Sequence, residues 1–379
     1  MKKPTTQPSH ALRQLATVLV LCLLFGGGAS ARVASEPREW TIMVYAATAN
    51  NLEPYTFRDV AKFTASRPTG KPVALTNLIS TDNYGNWRLS YDGDPSTIAM
   101  ERLGPLHLDD LRNLTSLIRE SAARFPARKY ALIMQGHGSG WYFSIGHGRT
   151  VSSAAVVSAI QAAGISFEIV GLDMCLMSTL ETAYEFRNTT KYLIASEDYG
   201  PWEGLASPSL VREFSTVGNT RKLLSRILAS FIQRNNTDPE NDPADMSIIA
   251  TAGIEPLANY VSALFANRPL DSSFFSLAAS VDRSTSEPYP YLQDLYTLTT
   301  RLIGRNAAEQ KRFDDLFKAA ILEYRQDRQK SALPYSRDHH GLGIAVNALQ
   351  DPTDHSRRYR ELSLPLRLTT KAPAPSIKN

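Results

Sequence analysis

Tyr130-Ala-Leu-Ile-Met-Gln-Gly-His-Gly-Ser-Gly140 and Phe167-Glu-Ile-Val-Gly-Leu-Asp-Met-Cys175 decide the fold. Each is a short apolar run that stops on polar, glycine-rich or thiol chemistry. Runs of this kind read as buried strands. Between them, Val151 to Ala163 has the spacing of a short helix, and Leu176 to Phe186 reads as a helix after the second strand. Tyr192 to Ser196 is the next strand. Strands separated by helices of this length imply βαβ units and a mainly parallel sheet flanked by helices, an α/β fold.

The same alternation extends upstream. Trp40 to Tyr45 reads as a buried first strand and Val73 to Ser80 as a second. Asn83-Tyr-Gly-Asn86 has turn chemistry, with Trp87 to Tyr91 as the return arm of a hairpin. Leu106 to Arg124 has helical spacing, with Leu108, Leu111, Leu114, Ile118 and Ala122 on one face. Downstream of Ser209 the chain becomes more helical. Thr220 to Gln233 and Leu292 to Ile303 are the helices expected there, Asn235 to Asp245 an exposed loop, and Gly341 to Val346 a late strand. From Pro365 the Pro-, Thr- and Lys-rich end reads as a flexible tail, 365–379.

The chain has 379 residues and a formal charge of +4. Lys2, Lys3 and Arg13 precede an apolar run from Leu15 to Phe25, then Gly26-Gly27-Gly28 and Ala29-Ser30-Ala31. This is the order of a secretory signal, residues 1–31, with an A-x-A cleavage site. The apolar run falls short of the ~20 residues a membrane span needs. The expectation is an exported protein, periplasmic or secreted, with no membrane attachment after the signal is removed. Without the signal the chain is near neutrality, which gives no electrostatic footprint for nucleic acid. The expected state is a monomer.

Of the two cysteines, Cys22 lies in the signal, so Cys175 is the one cysteine of the expected exported chain. A lone thiol in an oxidising compartment is a liability unless it is buried or used. In a parallel sheet, ligands bind beyond the carboxyl ends of the strands. His137 and Cys175 both stand at such ends, and neighbouring strands would bring them to one rim. An imidazole there generates the thiolate nucleophile and later protonates the leaving amine. Gly136 and Gly138 let a substrate approach the backbone, and the N–H groups of Gly138 and Cys175 are oxyanion candidates. Asp173, two residues before Cys175 on an extended segment, points to the same side. It is placed to receive a cationic substrate side chain.

Each residue also has a plainer reading. Cys175 alone is a small buried hydrophobe, His137 a turn residue, and Asp173 the N-cap of the helix that follows. Gly136 to Gly140 lacks the Gly-Lys-Ser/Thr of a phosphate loop. His147 reads as a loop residue. His339-His340 lacks partners at metal-ligand spacing and reads as a surface loop. No metal site is read.

The histidine block, Tyr130 to Trp141, and the cysteine block, Gly171 to Met177 with Glu181 after it, together resemble the clostripain-type cysteine peptidases. Tyr192 to Asp198, Trp40 to Glu53 and Gly341 to Asn347 are similar to other strands of that family. The resemblance implies a caspase-like three-layer sandwich spanning 32–364, with a catalytic core at about 39–215 and a helical C-terminal extension at about 216–364. It implies a Cys-His dyad, His137 and Cys175, and endopeptidase cleavage after Arg or Lys in proteins and peptides. Asp173 matches the acid of the primary specificity pocket. Glu203, in Pro201-Trp-Glu-Gly204, matches a second pocket acid. Two departures stand out: Ala49-Asn50 replaces Asp-Asn after the first strand, and Leu205-Ala206 replaces aromatic residues. Many members cut themselves after the histidine, where Arg149 is the basic residue available. No cofactor is required; calcium enters only through the resemblance, and no EF-hand loop is present. Two alternatives stay open: a caspase-like peptidase with another P1 preference, and a non-catalytic binding protein that keeps the fold.

Overall fold

The computed structural model describes residues 38–66, 73–146, 149–206, 208–216, 218–236, 244–266, 292–327, 339–346, 348, 354–364 and 366. The expected signal, His147 and the tail apart from Leu366 lie outside the described residues. The strands are β1 (Arg38–Ala47), β2 (Val73–Ser80), β3 (Asn86–Tyr91), β4 (Ala99–Leu103), β5 (Ala127–Gln135), β6 (His137–Gly138), β7 (Tyr142–Ser144), β8 (Thr150–Ser152), β9 (Phe167–Asp173), β10 (Thr190–Ala195), β11 (Asp245–Ala250), β12 (Leu292–Asp294), β13 (Ile321–Gln326) and β14 (Gly343–Ala345). The α-helices are α1 (Glu53–Ser66), α2 (Arg112–Arg124), α3 (Ser153–Ala162), α4 (Leu180–Phe186), α5 (Pro208–Thr216), α6 (Thr220–Asn236), α7 (Ile254–Ala266), α8 (Leu295–Ile303), α9 (Ala307–Ala320) and α10 (Asp354–Arg360).

A nine-stranded sheet in the order β13-β11-β10-β9-β5-β1-β2-β3-β4 forms the middle layer. Its centre, β10-β9-β5-β1-β2, is parallel. The sequence makes this centre two-faced. Along β1, Met43, Tyr45 and Ala47 pack into one core and Trp40, Ile42, Val44 and Ala46 into the other. Successive strand side chains point to opposite faces, so a strand covered on both sides must be apolar throughout. Helices α2, α3, α4, α7, α8 and α9 cover the first face. Helices α1, α5 and α6 cover the second. The result is an α/β sandwich of three layers with a mainly parallel sheet.

The structure corrects several expected boundaries. The first helix of the histidine-side layer begins at Arg112, not Leu106; Leu108 is buried ahead of it, and its carbonyl accepts from Tyr45 Oη at 2.6 Å. The helix after Cys175 begins at Leu180, where the Thr179 side chain caps it. Residues 176–178 cannot join it, because the Leu176 and Ser178 N–H groups donate to Asp198 and Ser196. Asp173 therefore ends β9 and is not an N-cap. Leu292–Asp294 is a strand paired with β14, and Asp294 caps α8. The region expected to be a helical extension also supplies β11 and β13, both antiparallel, which complete one side of the central sheet. Among the described residues, no helix is long and apolar enough to cross a membrane.

Candidate active site

The register of two neighbouring strands sets the site. Gln135 on β5 stands opposite Asp173 on β9 in parallel pairing. His137 and Cys175 lie two residues further along each chain, so both leave the carboxyl ends of the sheet at the same level. Both line one cavity of about 220 Å³, together with Gln135 and Asp173. Pro201, Trp202 and Gly204 close it from the segment after β10, and Tyr55, Thr56 and Asp59 from α1. Trp202 stacks on Tyr55 with ring centres 4.9 Å apart.

Cys175 sits at a sharp turn. Leu176, directly after it, has φ +62°, the one non-glycine residue in the left-handed region among those described. Such a conformation costs about 1–2 kcal/mol for an L side chain. It persists because Leu176 is held at both backbone ends: its N–H donates to Asp198 O at 2.9 Å, and its carbonyl accepts from Gly140 N at 3.0 Å. The turn leaves the Cys175 thiol partly exposed and unbridged by any disulfide. Gly200 N–H donates to its Sγ at 3.2 Å, an interaction that favours negative charge on sulfur.

His137 is half-buried, and burial lowers its pKa below the ordinary imidazole value. Its Nε2 lies 2.7 Å from Asn51 Oδ1. An amide oxygen only accepts, so Nε2 carries the proton. Nδ1 of the neutral ring is then the basic nitrogen. Gly138 packs directly on the cysteine turn: a Cβ there would lie 2.5 Å from Met177 Sδ and 2.9 Å from the Cys175 carbonyl oxygen. Glycine at this position is what lets the two loops close on each other.

Asp173 is held in place by Gln135 Nε2 at 3.0 Å and Leu205 N–H at 2.8 Å, both on Oδ2. Burial pushes its pKa up, against these hydrogen bonds. Gly204 lies against the same carboxylate; a Cβ there would sit 2.2 Å from Asp173 Oδ2. The Pro201–Gly204 segment thus comes to the pocket, but the Glu203 side chain does not join Asp173 there. It meets Lys62 Nζ at 2.5 Å, Arg58 Nη2 at 3.2 Å and Arg234 Nε at 3.7 Å. The second acid that lines the cavity is Asp59, on α1, a residue the sequence reading passed over. Its only sequence signal is a carboxylate on the buried face that carries Thr56, Val60 and Phe63.

Arg149 ends the turn between β7 and β8. Its N–H donates to Gly146 O, its carbonyl accepts from Ile145 N, and its guanidinium pairs with Asp109 at 2.5 Å. It does not line the cavity. His339 and His340 are not the surface pair expected. His339 is buried 3.8 Å from Asp198, and His340 Nδ1 meets Asp294 Oδ1 at 3.0 Å. They belong to a buried acidic cluster behind the cysteine turn. There Asp245 accepts from Ser196 Oγ and the N–H groups of Glu197 and Asp198, and Glu197 accepts from Gly341 N at 2.6 Å. These bonds brace the loop whose Asp198 O accepts from Leu176 N–H and whose Gly200 N–H reaches the Cys175 sulfur. Among the described residues, no three His, Cys, Asp or Glu side chains are placed to hold a metal. A larger open groove between α7 and α9, about 970 Å³, is lined by Tyr260, Glu309 and Arg312 among others and holds no thiol or imidazole.

No curated protein sequence matches the chain. Among solved structures, the chain is similar to a secreted C11 cysteine protease of Bacteroides thetaiotaomicron, "iotapain", at 16% identity and TM-score 0.71, covering 86% of this chain and 99% of that one. It is also similar to an inactive zymogen C11 protease from Parabacteroides distasonis, at 19% identity and TM-score 0.68, covering 88% and 98%. Likeness at these identities establishes the fold. The clostripain family model matches residues 44–310, most of the chain and both the histidine and cysteine blocks. The chain belongs to the clostripain family of cysteine peptidases.

Proposed function

We propose that this protein is an exported endopeptidase that cleaves after Arg or Lys, with His137 and Cys175 as its catalytic pair. The observation that carries the reading is one cavity shared by the thiol, the imidazole and buried carboxylates. His137 Nδ1 takes the thiol proton, and the thiolate attacks the scissile carbonyl. The Gly138 and Cys175 N–H groups receive the developing oxyanion. Imidazolium then protonates the leaving amine, and water hydrolyses the acyl-enzyme with His137 again as base. Asn51 holds the Nε2–H tautomer through these steps. The P1 side chain lies along Tyr55 and Trp202, with its cation at Asp173. The scheme uses no metal and a single copy of the chain. Export rests on the N-terminal signal.

Fluorogenic peptides ending in Arg, Lys, Asp or Leu test the reading on the wild-type protein and Cys175→Ala. Cleavage after Arg and Lys is expected, and its complete loss in the variant. Thiol-dependent cleavage after Asp or Leu alone would refute the basic specificity. Slow alkylation of Cys175, unchanged by His137→Ala, would refute the catalytic pair and favour a binding protein.

A further inference from the structure

Asp59 is 7% exposed and sits on the apolar face of α1, yet its carboxylate has no hydrogen bond or ion pair among the described residues. Charges in such settings are normally paired, because desolvation is expensive. Its basic neighbours make ion pairs with Glu203 and act on Asp59 only through space. Arg58 and Lys62 hold Glu203, while Arg234 faces Glu203 and donates to Gly204 O at 2.9 Å. What Asp59 does face is the cavity that holds Asp173.

We propose that Asp59 is the second acidic determinant of the primary specificity pocket and makes it prefer Arg to Lys. The proposal rests on the reading of this cavity as the P1 site. Asp173 is immobilised by Gln135 and Leu205; Asp59 is unpaired and comes from a different element. Two carboxylates from separate elements suit a planar guanidinium, which presents several N–H donors in a fixed fork. An ammonium is a single compact charge and gains less from the second acid. Glu203 does not line the cavity; it pairs with Arg58, Lys62 and Arg234 outside it. The like charge of Asp173 adds to burial in raising the Asp59 pKa to about 7. A bound guanidinium would relieve both effects.

The test compares kcat/KM on peptides ending in Arg, Lys and citrulline, the uncharged isostere of Arg. Wild type, Asp59→Asn, Asp59→Ser and Glu203→Gln are measured, with the iodoacetamide alkylation rate of Cys175 as a readout of fold and thiol activation. In both Asp59 variants the Arg-over-citrulline ratio should fall at least tenfold and the Arg-over-Lys ratio should shrink. Most of the change should lie in KM, with alkylation unchanged. Glu203→Gln should keep both ratios within threefold of wild type. The proposal is overturned if the Asp59 variants keep the wild-type ratios, or if Glu203→Gln loses them equally. A wild-type enzyme with no preference for charged P1 overturns the parent reading and this one together. A measurement free of variants completes the test: agmatine should protect wild-type Cys175 from alkylation at lower concentration than butylamine, and equal protection overturns the proposal.

Discussion

At the scale of residues, each small group around Cys175 has a contact that a substitution can test. The bond from His137 Nε2 to Asn51 fixes which ring nitrogen is basic. Asn51→Ala should lower kcat about tenfold to a hundredfold with little change in KM, because orientation is lost while the pocket stays intact. Asn51→Asp should preserve the orientation and raise the imidazole pKa, moving the acidic limb of the pH–rate profile upward. An Asn51→Ala enzyme with wild-type kcat would show that the ring needs no such partner. Gly138 offers a second check. Met177 can swing aside from an added Cβ, but the Cys175 carbonyl cannot. Gly138→Ala should therefore cost about 1–3 kcal/mol of stability, read in a denaturant titration, and most of the activity.

At the scale of elements, legibility followed length and period. The strands that carry His137 and Cys175 were readable because both faces of β5 and β9 are buried, which leaves continuous apolar runs. Their register brings the two residues level, so the placing of His137 beside Cys175 was the most legible part of the candidate site. The edge strands β4 and β13 are half-exposed and mixed in composition, and β6, β7 and β8 are only two or three residues long. Neither kind has a readable period. Helix α1 was not assigned, and with it Asp59 was lost, since a buried aspartate reads in sequence like a surface one. Glu203 was misplaced for a related reason. Sequence brought its segment to the pocket but could not say which way one side chain turns. The β7–β8 hairpin bears on maturation. Arg149 is bonded across its turn at both backbone groups, and scission there would require the hairpin beside His137 to open. The active enzyme should show no cut near Arg149 on a denaturing gel. Two fragments joining near Arg149, appearing together with activity, would contradict this.

At the scale of the whole molecule, several carboxylates from different elements are buried in the interior. Burial raises the pKa of Asp59, Asp173, Glu197 and Asp245, while His340 and Thr297 hold Asp294 low. The cluster of Glu197, Asp245 and Asp294 earns its place by bracing the cysteine turn. Asp59 has no such structural partner, so its stability cost can be isolated. A carboxyl with a raised folded pKa keeps its proton where the unfolded chain has already lost it. Stability is therefore greatest below the unfolded value of 3.8 and falls as pH rises towards about 7 for Asp59. Over that interval the penalty reaches at most about 4 kcal/mol. Asp59→Asn removes the titration. Its melting temperature relative to wild type should be nearly unchanged at pH 4, then rise through pH 7 to a lead of several degrees at pH 8. The same variant should lose preference for Arg, which is the trade expected where a site is kept strained for its ligand. A difference in melting temperature that stays flat from pH 4 to pH 8 would mean that Asp59 ionises like a surface carboxylate. Its unpaired burial would then carry no stored cost for a substrate to relieve.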